Sequence, residues 1–272
     1  MKTELSIWSA YYVELSPEEA VLAMKQHGLT HSELSDEHGE MLLHRGEPTE
    51  VGRAFKAFLA EQNFAMPQGH LWLKCKMCSS EEAVSQLLPW LDLYDAIGVK
   101  NAVLHLDSIV AEPELTTDAR YARNLAKLKV LEAYMQERGL KLRVCLENLS
   151  AIGQTAEELC AVVDQLDPEH FGICLDTGHL NLRDRDQRHF ILTAGHRLKA
   201  LHIVDNEGER DQHMMPFGKG NVDFSVVVQA LREIDYDGLF NLEIPGERLA
   251  PAEIRGYKIE YIRKCYEYLM SQ

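Results

Sequence analysis

LRVCLEN (residues 142–148), FGICLDTGH (171–179), LKALHIVDN (198–206) and GLFNLEIPGE (238–247) are the four stretches that decide the fold of this chain. Each contains an apolar run of the length of one strand, and such runs are typical of strands buried on both faces of a parallel sheet. Each run also ends in a side chain that can bind a metal. These side chains are Glu147, Asp176, His202 and Glu243.

The four terminal side chains predict a metal centre. Burying a carboxylate costs free energy unless a cation or hydrogen-bond donors compensate its charge. One such acid could be a surface residue that happens to follow a strand, but four at equivalent positions argue against that. Three carboxylates and one imidazole, spaced one βα unit apart, indicate one divalent metal ion at the mouth of a parallel barrel. This donor set favours Mn²⁺, and Mg²⁺, Co²⁺ and Zn²⁺ are the alternatives.

Strand-like and helix-like stretches alternate along the whole chain, which predicts an α/β fold, the (β/α)8 TIM barrel. The 272 residues suit one such barrel, for which about 250 are typical. We therefore expect a single domain over residues 1–272. Closure into a barrel is expected because an open sheet of eight strands would leave two edges. The strands are expected near residues 5, 30, 64, 101, 142, 171, 198 and 239.

Helix signals lie between these strands. Ser16 followed by Pro17 predicts a helix start, and Thr155 predicts another. Gly98 and Gly139 predict helix ends. Further helices are expected over residues 221–238 and 251–272, and a short, strongly charged one is expected over residues 183–197.

The composition argues against several classes of partner. The formal net charge is −15, from 43 acidic and 28 basic residues, so the surface repels phosphate backbones and nucleic acid is not expected. Acidic residues interrupt the N-terminus and no apolar stretch could cross a bilayer, so neither a signal peptide nor a membrane anchor is expected. The six scattered cysteines fit a reducing cytosol. We expect a cytoplasmic protein, and a homo-oligomer is compatible with the sequence.

Further polar residues follow the same strand ends and could face a substrate. Two histidines end the third and fourth strands, one lies three residues after Asp176, and a D-x-H motif follows the seventh strand. Such groups can bind substrate hydroxyls or further metals, and an arginine beside the motif could meet a phosphate or carboxylate. The candidates are His70, His105, His179, Arg210, Asp211 and His213.

Several cysteines and aromatic residues also have an expected role in the fold or the pocket. Cys75-x-x-Cys78 has the spacing of a redox or half-zinc motif, but no second pair accompanies it, so we expect no function from it. Cys145 and Cys174, within predicted strands, should act as small hydrophobic residues. The aromatic residues at the end of the first strand could belong to the core or line the pocket, and the pocket is favoured because they would otherwise be exposed. These are Trp8, Tyr11 and Tyr12.

Four longer motifs carry a family resemblance. They are CLEN (145–148), CLDTGHLNL (174–182), LHIVDNEGERDQHMMPFGKGNVDF (201–224) and NLEIPGE (241–247). Together they resemble the sugar phosphate isomerase/epimerase-like families of the xylose isomerase-like TIM barrels, which also include ketose 3-epimerases and endonuclease IV. The resemblance covers essentially the whole chain. It implies that the four strand-terminal residues bind the metal, that the two glutamates among them transfer protons, and that His179 contacts substrate oxygens.

The function expected from the residues and the resemblance is that of a divalent-metal-dependent isomerase or epimerase for a sugar or sugar phosphate. Its substrate would be a small polyhydroxy carbonyl compound. The metal would act as a Lewis acid that stabilises an enediolate. One of Glu147 and Glu243 would remove a proton, and the other would return one to the opposite face.

Three alternatives stay open. A dehydratase of the inosose or dehydroshikimate type would share the first half of the chemistry and then expel water. A barrel that binds sugar without catalysis would not require the two glutamates. A zinc phosphodiesterase like endonuclease IV would use a larger set of ligands. That set would be His70, His105, Glu147, Asp176, His179, His202, Asp211, His213 and Glu243.

Overall fold

Eight parallel strands form a single sheet in the computed structural model, which describes residues 2–106, 115–149 and 152–272. The strands are β1 (Glu4–Trp8), β2 (His31–Leu34), β3 (Ala65–His70), β4 (Asn101–His105), β5 (Arg143–Glu147), β6 (Phe171–Asp176), β7 (Leu198–His202) and β8 (Leu239–Leu242). Each strand from β1 to β6 pairs with the next one in sequence, and β8 pairs with β1. All eight predicted strands are therefore present.

The sheet curves until its two outer strands, β7 and β8, meet. Ile203 directly follows β7 and forms a parallel bridge with Leu242. The N–H of Ile203 donates to the carbonyl oxygen of Asn241 at 2.7 Å. This contact nearly closes the barrel and confirms the predicted (β/α)8 fold. In such a barrel the carboxyl ends of all strands lie on one face, so residues distant in sequence come together there.

Helices connect the strands, and the predicted helix ends are confirmed. The Ser16 side chain accepts a hydrogen bond from the N–H of Glu19, as a helix-capping residue does. Gly98 and Gly139 end their helices with φ angles of 98° and 66°. The helices are α1 (Pro17–Gln26), α2 (Asp36–Leu43), α3 (Pro48–Glu61), α4 (Ala83–Ile97), α5 (Thr117–Arg138), α6 (Ala156–Val163), α7 (Thr177–Asn181), α8 (Gln187–Ala194), α9 (Phe224–Glu233) and α10 (Ala252–Ser271). The sequence did not reveal α2, α3 and α7.

A small apolar cluster fills the barrel beneath the carboxyl-end face of β4 to β7. Side chains alternate between the two faces of a strand, so every second residue of a barrel strand points inward. The cluster consists of Val103, Cys145, Cys174 and Ala200, all fully buried. Each of them lies two residues before the end of its strand. Cys145 and Cys174 therefore pack as small hydrophobic residues, as predicted, although the Cys174 thiol also lies within 4.8 Å of ligand atoms of Glu147 and His202.

Two aromatic residues predicted to line the pocket belong to the core instead. Tyr11 and Tyr12 are buried, and the hydroxyl of Tyr11 donates to the carbonyl oxygen of Arg255 at 2.8 Å. The Arg255 guanidinium lies over the Tyr12 ring, 4.4 Å from its centroid. Both rings are covered by α10, which the sequence could not place next to β1. Only Trp8 stays partly exposed, and its indole N–H donates to the carbonyl oxygen of Ile244 at 3.1 Å.

The Cys75-x-x-Cys78 motif is buried. Both thiols are free of disulfide bonds. In the three described ranges, neither cysteine belongs to a group of side chains with metal-binding geometry. Every helix in these ranges is too short or too polar to span a bilayer.

Replacement of the α1 capping residue tests how far this local signal stabilises the barrel. Ser16→Ala removes the acceptor for the N–H of Glu19, so we expect the free energy of unfolding to fall by about 1 kcal/mol. Ser16→Gly is the control, because glycine at this position costs only a few tenths of a kcal/mol. Chemical denaturation measures both values. Equal losses in the two variants would show that the cap contributes nothing specific.

Candidate metal centre

Four side chains from neighbouring strands meet at the carboxyl-end face of the barrel. Glu147, Asp176 and His202 are the last residues of β5, β6 and β7, and Glu243 directly follows β8. Each offers one ligand atom, and these atoms all lie within 4.8 Å of one another. The Nδ1 atom of His202 lies 3.2 Å from a carboxylate oxygen of Glu147 and 3.2 Å from one of Glu243. The predicted ligands therefore share one centre.

These side chains fit a divalent cation. Among the described residues, Oε1 of Glu147, Oδ2 of Asp176 and Nδ1 of His202 are buried without a hydrogen-bond partner. Buried polar atoms are nearly always hydrogen-bonded, so three unpaired atoms facing one point call for another partner. Carboxylate oxygens with one imidazole nitrogen are suitable ligands for Mn²⁺, Co²⁺ or Zn²⁺. Glu147, Asp176, His202 and Glu243 would hold such an ion.

Electrostatics keeps the two glutamates ionised. Burial alone would raise the pKa of Glu147, but the His202 and His105 imidazoles lower it, and the resulting pKa lies well below the usual value. Burial likewise opposes, and His202 favours, the ionised form of Glu243, whose pKa is also lowered. The pKa of Asp176 is raised to about 6, mainly by burial, although His179 lowers it in part. At neutral pH the centre therefore carries negative charge.

Two histidines flank Glu147 on the side of β3 and β4. Nε2 of His105 lies 3.0 Å from Oε2 of Glu147, and Nε2 of His70 lies 3.6 Å from the same oxygen. The Nδ1 atom of His70 donates to the carbonyl oxygen of Leu71 at 2.6 Å, which orients its ring. Ligand atoms of His70, His105 and Glu147 lie within 4.8 Å of one another. The structure therefore places both histidines beside the centre.

A second pair of histidines closes the centre on the side of the β7–α9 loop. Asp211 lies between them, 3.3 Å from Nε2 of His179 and 3.1 Å from Nε2 of His213. Burial alone would lower the pKa of His179, but Asp176 and Asp211 raise it to about 12. The pKa of His213 rises to about 10, because Asp211 and Glu243 outweigh its burial. In the metal-free protein both imidazoles are therefore protonated hydrogen-bond donors at neutral pH.

Arg210 is the one predicted site residue that stands apart. Its side chain is exposed and forms no hydrogen bond or ion pair with any residue of the described ranges. It precedes Asp211 in the loop, so a contact with a substrate group outside the centre stays a prediction.

The family of this chain is shown by its sequence. The sequence profile of the xylose isomerase-like TIM barrel family matches residues 21–265. The chain belongs to this family.

Relatives within the family include sugar-converting enzymes. A D-psicose 3-epimerase from Enterocloster bolteae is 30% identical over 202 residues, which make up 69% of this chain and 64% of the epimerase. The chain thus covers less than two thirds of that relative. An inosose dehydratase from Clostridium perfringens is 23% identical over 218 residues, or 71% of each chain. A solved D-tagatose 3-epimerase-like protein has a TM-score of 0.80 at 19% identity, covering 99% of this chain and 98% of its own, which shows the shared fold.

The sequence did not reveal one buried acid beside the centre. Glu33 in β2 is fully buried, and its Oε1 lies 3.1 Å from Nε2 of His202. An amide of Asn241 donates to its other oxygen. The available signal was a charged residue inside a strand-like stretch, which is unusual for a barrel interior.

Asn148, which follows Glu147, joins the ends of β5 and β6. Its Oδ1 accepts from the N–H of Asp176 at 2.7 Å, and its Nδ2 donates to the carbonyl oxygen of Asp176 at 3.0 Å. The carbonyl oxygen of Asn148 also accepts from Nδ1 of His179 at 3.1 Å. This asparagine therefore fixes the backbone that presents Asp176.

Removal of the Asn148 side chain should destabilise the protein. Asn148→Ala leaves the buried N–H of Asp176 unpaired, at about 1–3 kcal/mol, whereas the carbonyl of Asp176 begins α7 and keeps its helical partner. We expect the free energy of unfolding to fall by about 1–3 kcal/mol in denaturation of the metal-free protein. The exposed amide variant Gln165→Ala is the control and should change stability by less than about 0.5 kcal/mol. A loss in Asn148→Ala no larger than in this control would contradict the assignment.

Proposed function

We propose that this chain is a divalent-metal-dependent epimerase or isomerase acting on a small sugar or sugar phosphate. One observation carries the proposal: Glu147 from β5 and Glu243 after β8 bring carboxylates within 3.2 Å of the same atom of His202. Two ionised acids from different sides of a barrel can flank one substrate carbon and serve its opposite faces. The similarity to a D-psicose 3-epimerase and to an L-ribulose 3-epimerase from Methylomonas sp. supports this class of reaction.

The residues divide the reaction between them. A divalent cation held by the four ligands would polarise the carbonyl and a hydroxyl oxygen of the substrate, which makes the adjacent C–H more acidic. One of Glu147 and Glu243 accepts that proton, and the other delivers a proton to the opposite face of the carbon. Their lowered pKa values keep either acid ionised and able to act as the base at neutral pH. The acid that delivers the proton would first take one up from water or from a substrate hydroxyl group, and the two acids would exchange these roles in the reverse reaction.

The protonated histidines would orient the substrate. His179 and His213 are only partly exposed, their Nδ1 atoms donate to the carbonyl oxygens of Asn148 and Glu243, and their Nε2 atoms face Asp211. A substrate oxygen would take the place of Asp211 as the acceptor of their Nε2–H groups. Cationic donors stabilise negative charge that develops on a substrate oxygen. We assign them the substrate hydroxyl and carbonyl oxygens, with His70 and His105 on the opposite side of Glu147.

Replacement of either glutamate tests the proton transfer. Glu147→Gln and Glu243→Gln should each lower kcat by about 10²–10⁴-fold, because an amide cannot accept the proton. The measurement is conversion of a panel of ketoses, including D-psicose, D-tagatose and L-ribulose, with Mn²⁺ present and products resolved by NMR.

The exposed variant Glu169→Gln is the control for loss of one acid and should keep full activity. Circular dichroism establishes that each variant is folded. Near-normal turnover in both site variants would remove the assignment of the proton-transfer pair.

A dehydratase is the second candidate, and one observation favours it. His179 is protonated and close to Asp211, so it could protonate a departing hydroxyl group after the first proton is removed. The inosose dehydratase relative supports this reading. Mass spectrometry separates the two reactions, because epimerisation conserves the substrate mass and dehydration removes one water molecule. A product with unchanged mass is expected.

Metal content separates both candidates from a phosphodiesterase. Besides the main centre, three overlapping groups of described residues have metal-binding geometry. They are His70 with His105 and Glu147, Glu147 with Cys174 and His202, and Asp176 with His179 and His213. We expect the purified protein to hold one tightly bound divalent ion per chain, measured by elemental mass spectrometry. Three zinc ions per chain would instead favour a phosphodiesterase, although the net charge of −15 opposes nucleic acid as its substrate.

A further inference from the structure

Four buried polar side chains form a hydrogen-bonded chain across the interior of the barrel. The Ser6 hydroxyl in β1 donates to Oδ1 of Asn241 in β8. Nδ2 of Asn241 donates to Oε2 of Glu33 in β2, and Oε1 of Glu33 lies 3.1 Å from Nε2 of His202 in β7. All four residues are fully buried. The chain thus runs from the first strand to the ring of a predicted metal ligand.

The chain fixes which ring nitrogen of His202 faces the metal centre. An ionised carboxylate only accepts hydrogen bonds, so Nε2 of His202 must carry the hydrogen that points to Glu33. The other nitrogen, Nδ1, lies 3.2 Å from Glu147 and from Glu243. It has no hydrogen-bond partner in the described part of the chain, which leaves its lone pair for a cation.

Burial makes Glu33 hard to explain by packing alone. In the described ranges, its ion pair is with His202, and no lysine or arginine approaches it. It also belongs to none of the groups with metal-binding geometry there, so it is not itself a ligand. A buried carboxylate is costly unless it is paired. A cation on the far side of the imidazole ring would supply that pairing through the polarised Nε2–H group.

We propose that Glu33 is a positioning residue that sets the metal affinity of the centre by orienting His202. The inference rests on the proposed function, because that proposal supplies the divalent ion. Carboxylates that accept a hydrogen bond from a metal-bound histidine fix its ring orientation and raise its basicity as a ligand. Asn241 donates directly to the Glu33 carboxylate and holds it, whereas the Ser6 hydroxyl donates to Asn241 and lies one step further from the metal ligand in β7.

The test is the equilibrium binding of Mn²⁺ to the full chain without substrate, measured by calorimetry. Glu33→Ala should raise the Kd by about 10–100-fold, the range for partners of metal-bound histidines. Glu33→Gln should recover most of this loss. Its amide oxygen can accept from His202, and its amide nitrogen can donate to Asn241 once the Asn241 amide and the Ser6 hydroxyl reorient.

The ligand-field bands of bound Co²⁺ give a second measurement that a purely structural role would not change. We expect these bands to shift in Glu33→Ala and to return in Glu33→Gln. Ser6→Ala is the matched control, because it removes the far end of the same chain without touching His202. Its Kd should stay within about threefold of the wild-type value, since no partner of the metal-bound histidine is lost. A loss in Ser6→Ala as large as in Glu33→Ala would overturn the specific role of Glu33.

Two outcomes distinguish failure of this inference from failure of the proposed function. If the wild-type chain binds neither Mn²⁺ nor Co²⁺, both proposals are overturned. If the wild type binds them and folded Glu33→Ala has an unchanged Kd, only the role of Glu33 is overturned. Should Glu33→Ala not fold, Glu33→Asp decides, because it keeps the charge but withdraws it by one methylene group. An unchanged Kd in that variant likewise overturns the role.

Discussion

Buried negative charge at the carboxyl-end face is the constraint on which the rest of the site depends. Glu33, Glu147, Asp176 and Glu243 lie buried within one barrel, and each carboxylate taken from water costs several kcal/mol unless it is compensated. In the described part of the chain, no lysine or arginine pairs with them, and imidazoles take this place. The pKa of His179, raised to about 12, reflects the same demand for positive charge. The centre is thus built to hold cations, whether protons on imidazoles or a metal ion.

The side chains that fill the barrel interior are apolar on one side and polar on the other. Small apolar side chains such as Cys145 and Ala200 lie beneath the carboxyl ends of β4 to β7. They cannot solvate the acids above them. On the side of β8, β1 and β2 the interior is polar, and Asn241 and Glu33 form the hydrogen-bonded chain that ends at His202. The apolar side increases the need for a cation, and the polar side holds the imidazole that would meet it.

The site residues that could be predicted from the sequence are those at the ends of long apolar runs. Glu147 and Asp176 end long apolar runs, where a terminal acid is conspicuous, so both the barrel and the meeting of these side chains at its face could be predicted. Glu33 lies in a four-residue strand beside polar residues, which hides its burial. The burial of Tyr12 depends on Arg255, more than 200 positions away, and no local pattern reports such a contact. Local signals therefore gave the elements, while contacts between distant elements had to come from the structure.

The ligands alone do not decide the type of reaction, because epimerisation and dehydration both begin with removal of a proton. The difference lies in whether an acid stands beside a departing hydroxyl group, and that depends on the loop after β7. In this loop His213 has a φ of 43°, a strained value that persists only where the surroundings impose it. Its Nδ1 donates to the carbonyl oxygen of Glu243 at 2.7 Å, and Asp205 pairs with Met214 beside it. Because the backbone of Glu243, the proposed proton-transfer residue, anchors this histidine, changes in the loop can alter the proposed reaction without altering the proposed metal ligands.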